Sequence, residues 1–177
     1  MVLPVPSGTA DTTVPAAADR LSQVELAAWY GFLRAHSGLI AQLDRELEAG
    51  HGMALRSYEV LLKLAQADEG RLRMSELADA VVLSRSGLTR LVDRLEAEGY
   101  VERRRCPSDA RGAHAIITQA GRERLRDAVG THVTSVRRLF LDRFSETELR
   151  TLAGLWERLE LEAPAAGEPG CAPSDGG

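Results

Sequence analysis

The stretch Ser84–Ala115, SRSGLTRLVDRLEAEGYVERRRCPSDARGAHA, decides the fold. Ser84 stands before a run in which Leu88, Leu91, Val92 and Leu95 recur at helical spacing, and Gly99 follows the last apolar turn. This predicts a helix capped by Ser84, running to Glu98 and closed by Gly99. The apolar stripe leaves Arg85, Ser86, Thr89, Arg90 and Asp93 on the outward face. Tyr100, Val101 and Glu102 leave the helix as an extended run, Cys106–Gly112 supplies Pro, Ser, Asp and Gly for a hairpin tip, and Ala113–Ile117 returns as a β-rich strand. The pattern is a helix followed by a two-stranded wing. Its adjacent arginines, Arg103, Arg104 and Arg105, repel one another unless an anion or solvent compensates them.

Upstream, Met74–Val81 (MSELADAV) reads as a short helix with the small Ala78 on its inner face. Two short helices joined by a tight connection make a helix-turn-helix pattern. A polar, basic outward face near the N-terminus of the second helix is what a recognition helix needs to reach base edges in a major groove. A merely solvated amphipathic helix would carry the same residues, and the wing that follows separates the two readings. Arginines at the base and tip of a wing reach a phosphate backbone or a neighbouring minor groove. DNA phosphate is the expected counter-charge for the crowded arginines.

The chain, 177 residues with 44% apolar content, is long enough for one structural unit with extra helices. Charge is divided along it: between Arg71 and Arg126 twelve arginines face eight carboxylates, although the whole chain carries a formal net charge of −4. A locally basic segment in an acidic protein points weakly to a polyanion. No membrane span and no secretory n-region are expected, so the protein is expected to be soluble and cytoplasmic. Cys106 and Cys171 match no metal-ligand or disulfide spacing. The histidines His36, His51, His114 and His132 form no helical ligand pair, and neither a phosphate-binding glycine loop nor a nucleophile elbow is present. No enzyme, metal or cofactor is expected.

The ends, residues 1–18 and 163–177, read as disordered tails too poor in large apolar groups to offset the entropy of ordering. A long amphipathic helix from about Asp19 to Glu48, ending at Ala49-Gly50, places Leu26, Trp29, Leu33, Ile40 and Leu47 on one side. Ser57 is expected to cap a second helix with Val60, Leu61 and Leu64 inward, ending before a turn at Asp68–Gly70. Thr118 can cap a helix carrying Val129, Val133, Val136 and Phe140. Ser145 and Glu148 form a capping box for a last helix carrying Leu149, Leu152, Leu155, Trp156 and Leu159. These apolar faces need cover, either in an intrachain bundle or, more economically, against a second copy.

The run RMSELADAVVLSRSGLTRLVDRLEAEGYVERR, then PSDARG at the wing tip and ITQAGRERL at the start of the following helix, resembles the MarR family of winged-helix transcription regulators. The resemblance covers about Leu21–Leu161 and is strongest from Arg71 to Leu125. It implies a mainly α (α+β) fold: a winged helix-turn-helix with additional N- and C-terminal dimerisation helices. The expected divisions are a dimerisation helix and loop at 19–56, a DNA-binding lobe at 57–117 and dimerisation helices at 118–162. The implied partners are double-stranded DNA with a pseudo-palindromic operator, a second copy in a homodimer, and a small-molecule effector. The function implied is that of a repressor released by a small aromatic or anionic ligand.

On the recognition helix the resemblance assigns DNA contact to Ser84, Arg85, Ser86, Thr89 and Arg90. On the wing it assigns Arg111 at the tip, oriented by Asp109. Alternation along the strand puts Arg103 and Arg105 on one side as phosphate contacts and Arg104 on the other. Arg94 reads as a surface pair with Asp93 or Glu98. Trp29 and His36, with Tyr58 and Arg71 near, are the candidates for an effector pocket, although a Trp and a His on one helical face also suit core packing. Cys106, beside Arg104 and Arg105, offers an alternative redox response. The oxidation-sensing branch of the family, however, keeps its reactive cysteine near the first helix, where this sequence has none. A helical protein-interaction module without DNA affinity is the remaining alternative.

Overall fold

The computed structural model describes residues 21–159 other than 82, 107 and 108, and the side chains of 105–112 also lie outside the description. The expected tails therefore fall outside the described residues. The elements are α1 (Gln23–His51), α2 (Leu55–Gln66), β1 (Arg71–Arg73), α3 (Met74–Ala80), α4 (Arg85–Ala97), β2 (Val101–Cys106), β3 (Asp109–Ile117), α5 (Gln119–Leu139) and α6 (Glu146–Trp156). The chain forms two compact units that divide at residues 37 and 38, within α1.

In the first unit, α1 exposes Val24, Leu26, Trp29, Tyr30 and Phe32. The rings of Trp29, Phe32 and His36 follow one another along one helical face, with centroids 6.1 and 6.0 Å apart.

The second unit holds the core. The stripe Leu88, Leu91, Val92 and Leu95 of α4 is buried, together with Leu77 and Ala78 of α3 and Leu55, Tyr58, Val60, Leu61 and Leu64 of α2. Each large side chain removed from water contributes about 1.5–3 kcal/mol, so this three-helix contact is the main support of the lobe. The second helix does not start as expected. Ala54, not Ser57, is its N-cap residue. It has no side-chain oxygen to offer, and Asp44 Oδ1 of α1 accepts the Leu55 N–H at 2.8 Å instead. Ser57 lies inside the first turn, buried, where its hydroxyl accepts a hydrogen bond from Arg94 Nη2 at 2.8 Å. α1 also runs through Gly50 to His51, and Gly52 follows it at φ 57°.

The sheet has a strand that the sequence reading lacked. β1 pairs antiparallel with β3, giving the order β1-β3-β2. Val101, Ala115 and Ile117 turn inward, while Arg71, Arg73, Glu102, Arg104, His114 and Ile116 share the opposite face by register. The return strand starts at Asp109, opposite Cys106, rather than at Ala113, so Asp109–Gly112 belong to β3 and not to a long tip. Pairing then steps to Arg105↔Ala113, leaving Ala110, Arg111 and Gly112 as additional residues on the β3 side of a bulge.

The wing is clamped where it leaves for α5. Gly99 closes α4 at φ 79°, a conformation glycine adopts without penalty. Thr118 N donates to Tyr100 O at 3.0 Å, and Thr118 Oγ1 donates to Gly99 O at 2.7 Å while accepting from Gly121 N at 3.0 Å. A Cβ at Gly121 would collide with the Tyr100 carbonyl, so a side chain there would lift α5 off the sheet.

α5 is anchored to the last part of α1. Glu46 accepts hydrogen bonds from Gln42 Nε2 and Arg138 Nη2, each at 2.6 Å, and from the buried Ser135 hydroxyl. These donors, Ser135 foremost, hold the Glu46 carboxyl at about 2. His51 Nε2 meets Thr131 Oγ1 at 2.7 Å, and Arg124 donates to the His51 carbonyl. The expected capping box opens α6: Ser145 N donates to Glu148 Oε2 at 2.8 Å and Glu148 N to Ser145 Oγ at 3.4 Å. No residue of α6 is buried, and Val133, Phe144, Leu155, Trp156 and Leu159 are exposed.

Candidate nucleic-acid interface

The helix-turn-helix presents α4 with its first two turns bare. Ser84 Oγ accepts from Gly87 N at 3.1 Å, which satisfies one of the four orphan N–H groups of the helix start. Arg85, Ser86, Thr89 and Arg90 are all exposed. Thr89 Oγ1 donates to Arg85 O at 2.9 Å, and Arg90 Nε makes a long contact of 3.4 Å with Ser86 O. Among the described residues no carboxylate pairs with Arg85 or Arg90. Two unopposed guanidinium groups, three hydroxyls and the positive end of a 13-residue helix therefore share one solvent-facing surface.

The arginines at the wing base are used differently. Arg103 turns inward by register, is only 26% exposed, and its Nη2 lies 2.6 Å from Asp93 Oδ1 of α4. Its backbone N donates to Glu96 Oε1 of the same helix at 2.9 Å. Arg104, on the outer face, grips Glu102 with Nε and Nη2 at 3.0 and 3.1 Å, which lowers the Glu102 carboxyl. The crowding of the three arginines is thus relieved inside the protein at two positions, Arg103 and Arg104. Arg94 sits 4.0 Å from Glu98, as expected, and also reaches Ser57. The side chains of Arg105, Asp109 and Arg111, and that of Cys106, lie outside the described residues.

The Asp93–Arg103 pair escapes a local reading because its partners are ten residues apart and meet only when β2 folds back along α4. The sequence does hold a signal: Asp93 is an acidic residue on an otherwise basic outward face.

The four effector-pocket candidates are not brought into one described cavity. Tyr58 is buried in the core, its ring 4.4 Å from that of His132, and burial pushes its hydroxyl up. Arg71 is exposed and paired with Glu69 at 3.0 Å. Trp29 and His36 lie on α1 in the first unit. A cavity of about 250 Å³ opens elsewhere in the second unit, with Ser57, Arg94, Glu98, Tyr100 and Arg124 among its walls.

A MarR family model matches residues 51–112, which span α2, the helix-turn-helix and most of the wing. The solved structure of Sco3205, a MarR family transcriptional regulator from Streptomyces coelicolor in complex with DNA, is 38% identical, covers 79% of this chain and 91% of its own, and superposes with a TM-score of 0.75. This chain belongs to the MarR family. It is a DNA-binding transcriptional regulator with the MarR winged helix and terminal helices. Another MarR-type relative, the transcriptional repressor YetL of Bacillus subtilis, is 28% identical over 116 residues, 64% of this chain and 70% of its own. CouR from Rhodococcus jostii RHA1, solved bound to p-coumaroyl-CoA, is 26% identical with a TM-score of 0.65 and covers 82% of this chain and all of its own. Among the described residues no helix is long and apolar enough to cross a membrane.

Proposed function

We propose that this MarR protein is a homodimeric repressor that reads a pseudo-palindromic operator through α4 and its wing and is released by a small ligand. The observation that carries the reading is the first half of α4, where Arg85 and Arg90 stand without carboxylate partners among the described residues, beside Ser86 and Thr89. Arg90, Ser86 and Thr89 take base edges. Arg85 and the Ser84 end of the helix take phosphate. Arg105 takes phosphate beside the wing, and Arg111, oriented by Asp109, enters the minor groove at its tip. Arg103 acts through Asp93 as a strut that sets the wing against α4. No step calls for catalysis.

The dimer rests on unburied apolar area. In the second unit Val133, Phe144, Leu155, Trp156 and Leu159 are exposed on the C-terminal helices, and α1 exposes Trp29, Tyr30 and Phe32 in the first. Such faces are costly in water and are covered at least expense by a symmetric copy. A two-fold pair sets its recognition helices about one DNA turn, ~34 Å, apart. The repressor sign follows YetL, and ligand response follows CouR, as properties of relatives.

Selection of bound duplexes from a random DNA pool tests this. Enrichment of an inverted repeat with half-sites about one turn apart is the expected outcome. Affinity for the recovered operator should then fall by roughly three to five orders of magnitude between about 50 and 200 mM salt if about 6 to 10 phosphates are contacted. Absence of any enriched sequence from a folded, dimeric protein would overturn the reading.

A further inference from the structure

The cavity behind the recognition helix has a lining that the DNA-reading surface does not use. It lies where the ends of α1 and α4 meet the starts of α2 and α5, at the opposite end of α4 from Arg85. Two guanidinium groups border it. Arg94 is held by Ser57 and stands at the outer limit of pairing with Glu98, 4.0 Å. Arg124 donates one Nη to the His51 carbonyl, but its Nε is buried without a partner and no carboxylate pairs with it among the described residues. A buried guanidinium donor left unsatisfied is unfavourable, so this corner of the fold is short of an acceptor. Two carboxylates also border the cavity: Glu98, and Glu48, which has no ion-pair partner among the described residues. Leu95 and Tyr100 supply apolar wall between the charged groups.

A pair of arginines and a pair of glutamates around one small space recognise a molecule that carries both charges. A simple anion would meet Glu48 and Glu98, and a simple amine would meet Arg94 and Arg124, each at a repulsive cost. A volume of about 250 Å³ lies just below the ~300–1,000 Å³ of sites for drug-sized ligands, which suits a single metabolite. We propose that this cavity binds a free α-amino acid with an apolar side chain, its carboxylate on Arg94 and Arg124 and its ammonium on Glu48 and Glu98. The inference rests on the regulator reading for its purpose and supplies the ligand class for it. Because Arg94 and Glu98 belong to α4 and Arg124 to α5, the bound molecule bridges the recognition helix to the C-terminal helices. It changes operator affinity to the extent that it prefers one spacing of those helices.

The test is calorimetric titration of the full-length protein with L-leucine, L-isoleucine, L-valine, L-methionine, L-phenylalanine, L-tyrosine and L-tryptophan. Phenethylamine and 3-phenylpropionate serve as one-charge controls. At least one amino acid should bind with the one-charge analogues at least about tenfold weaker, and Glu48→Gln and Arg94→Gln should each weaken that binding about tenfold. Both side chains are exposed, and Arg94→Gln also removes the hydrogen bond to Ser57, so a melting curve checks that each variant is folded. No binding by any of the seven, equal binding of the one-charge analogues, or indifference to both substitutions would each overturn the proposal. Operator affinity measured on the same samples separates the outcomes: intact DNA binding with no amino-acid binding sinks the cavity inference alone, and lost DNA binding in the unsubstituted protein sinks the regulator reading.

Discussion

In the first two turns of α4, Arg85 and Arg90 stand in solvent with no carboxylate partner among the described residues. From the third turn on, Asp93 and Glu96 hold Arg103 of β2, and Arg94 reaches Ser57 of α2. The same helix therefore spends the charge of its second half on fixing its own pose and leaves that of its first half available. A cation already matched in cis gains less from phosphate, because the phosphate must first displace its partner; an unmatched one gains the whole interaction. Arg103 and Arg104 follow the rule of the second half, although in sequence they look like the most obvious phosphate ligands in the chain.

The contrast breaks most sharply at Arg90. Arg90→Glu should lower operator affinity at least about a hundredfold, since one good base contact is worth about 1–3 kcal/mol and reversal adds repulsion. Its melting temperature should stay within a degree or two, because the side chain holds nothing in the fold. Anisotropy on the selected operator and a thermal melt measure both, and a large fall in melting temperature would show that Arg90 belongs with the anchored half. Next comes Asp93→Asn. If Arg103 is a strut, losing its partner lets the wing drift and weakens operator binding severalfold, with the slope of affinity against salt unchanged. Were Arg103 a phosphate ligand restrained by Asp93, the same substitution would free it, and binding would tighten with a steeper slope. A double-mutant cycle with Arg103→Gln should show coupling between the two.

What could be read in advance divides along the same lines as the charges. Signals carried within one turn were legible: Ser84 as cap, the Leu88–Leu95 stripe, the Gly99 stop, Thr118, and the Ser145–Glu148 box each depend on residues three or four apart. Contacts between distant residues were not. Arg71–Arg73 is a strand only because β3 returns beside it, so three residues with no local β signal gave no warning. The α2 cap comes from Asp44 on another helix, and the plausible local candidate, Ser57, was already needed by Arg94. In the binding face, the free half of α4 was legible from its stripe alone. The neutralisation of Arg103 required knowing that β2 would lie along Asp93 and Glu96.

Ser84 tests whether the free half depends on its own cap. Ser84→Ala removes the acceptor for Gly87 N and should cost about 1 kcal/mol of stability, read from chemical denaturation. Operator affinity should fall less than for Asp93→Asn, because the anchored half still holds the helix in place. A larger loss of affinity than of stability would place Ser84 itself at the phosphate.

The smallest effect concerns charges spent far from α4, and it tells whether such spending stabilises this fold. Glu46 is held at about 2, against an ordinary 4.5, by hydrogen bonds from Ser135, Gln42 and Arg138. A carboxyl depressed in the folded state contributes stability that is complete above 4.5 and is lost as pH falls toward 2. His132 gives a second, separate limb. Burial against Tyr58 holds its ring below the ordinary 6.5, so its contribution is complete above 6.5 and declines as the pH drops below that value. The melting temperature should thus fall in two stages on acidification, the first lost in His132→Phe and the second in Glu46→Gln. The Glu46 side chain is about a quarter exposed, so its limb should be shallow and should shrink further in salt. If Glu46→Gln follows the unsubstituted protein through the whole acid range, the α1–α5 hydrogen bonds are ornament on a fold held by its apolar core. The Asp93–Arg103 strut would then have to be judged by what it does to the wing and not by what it adds to stability.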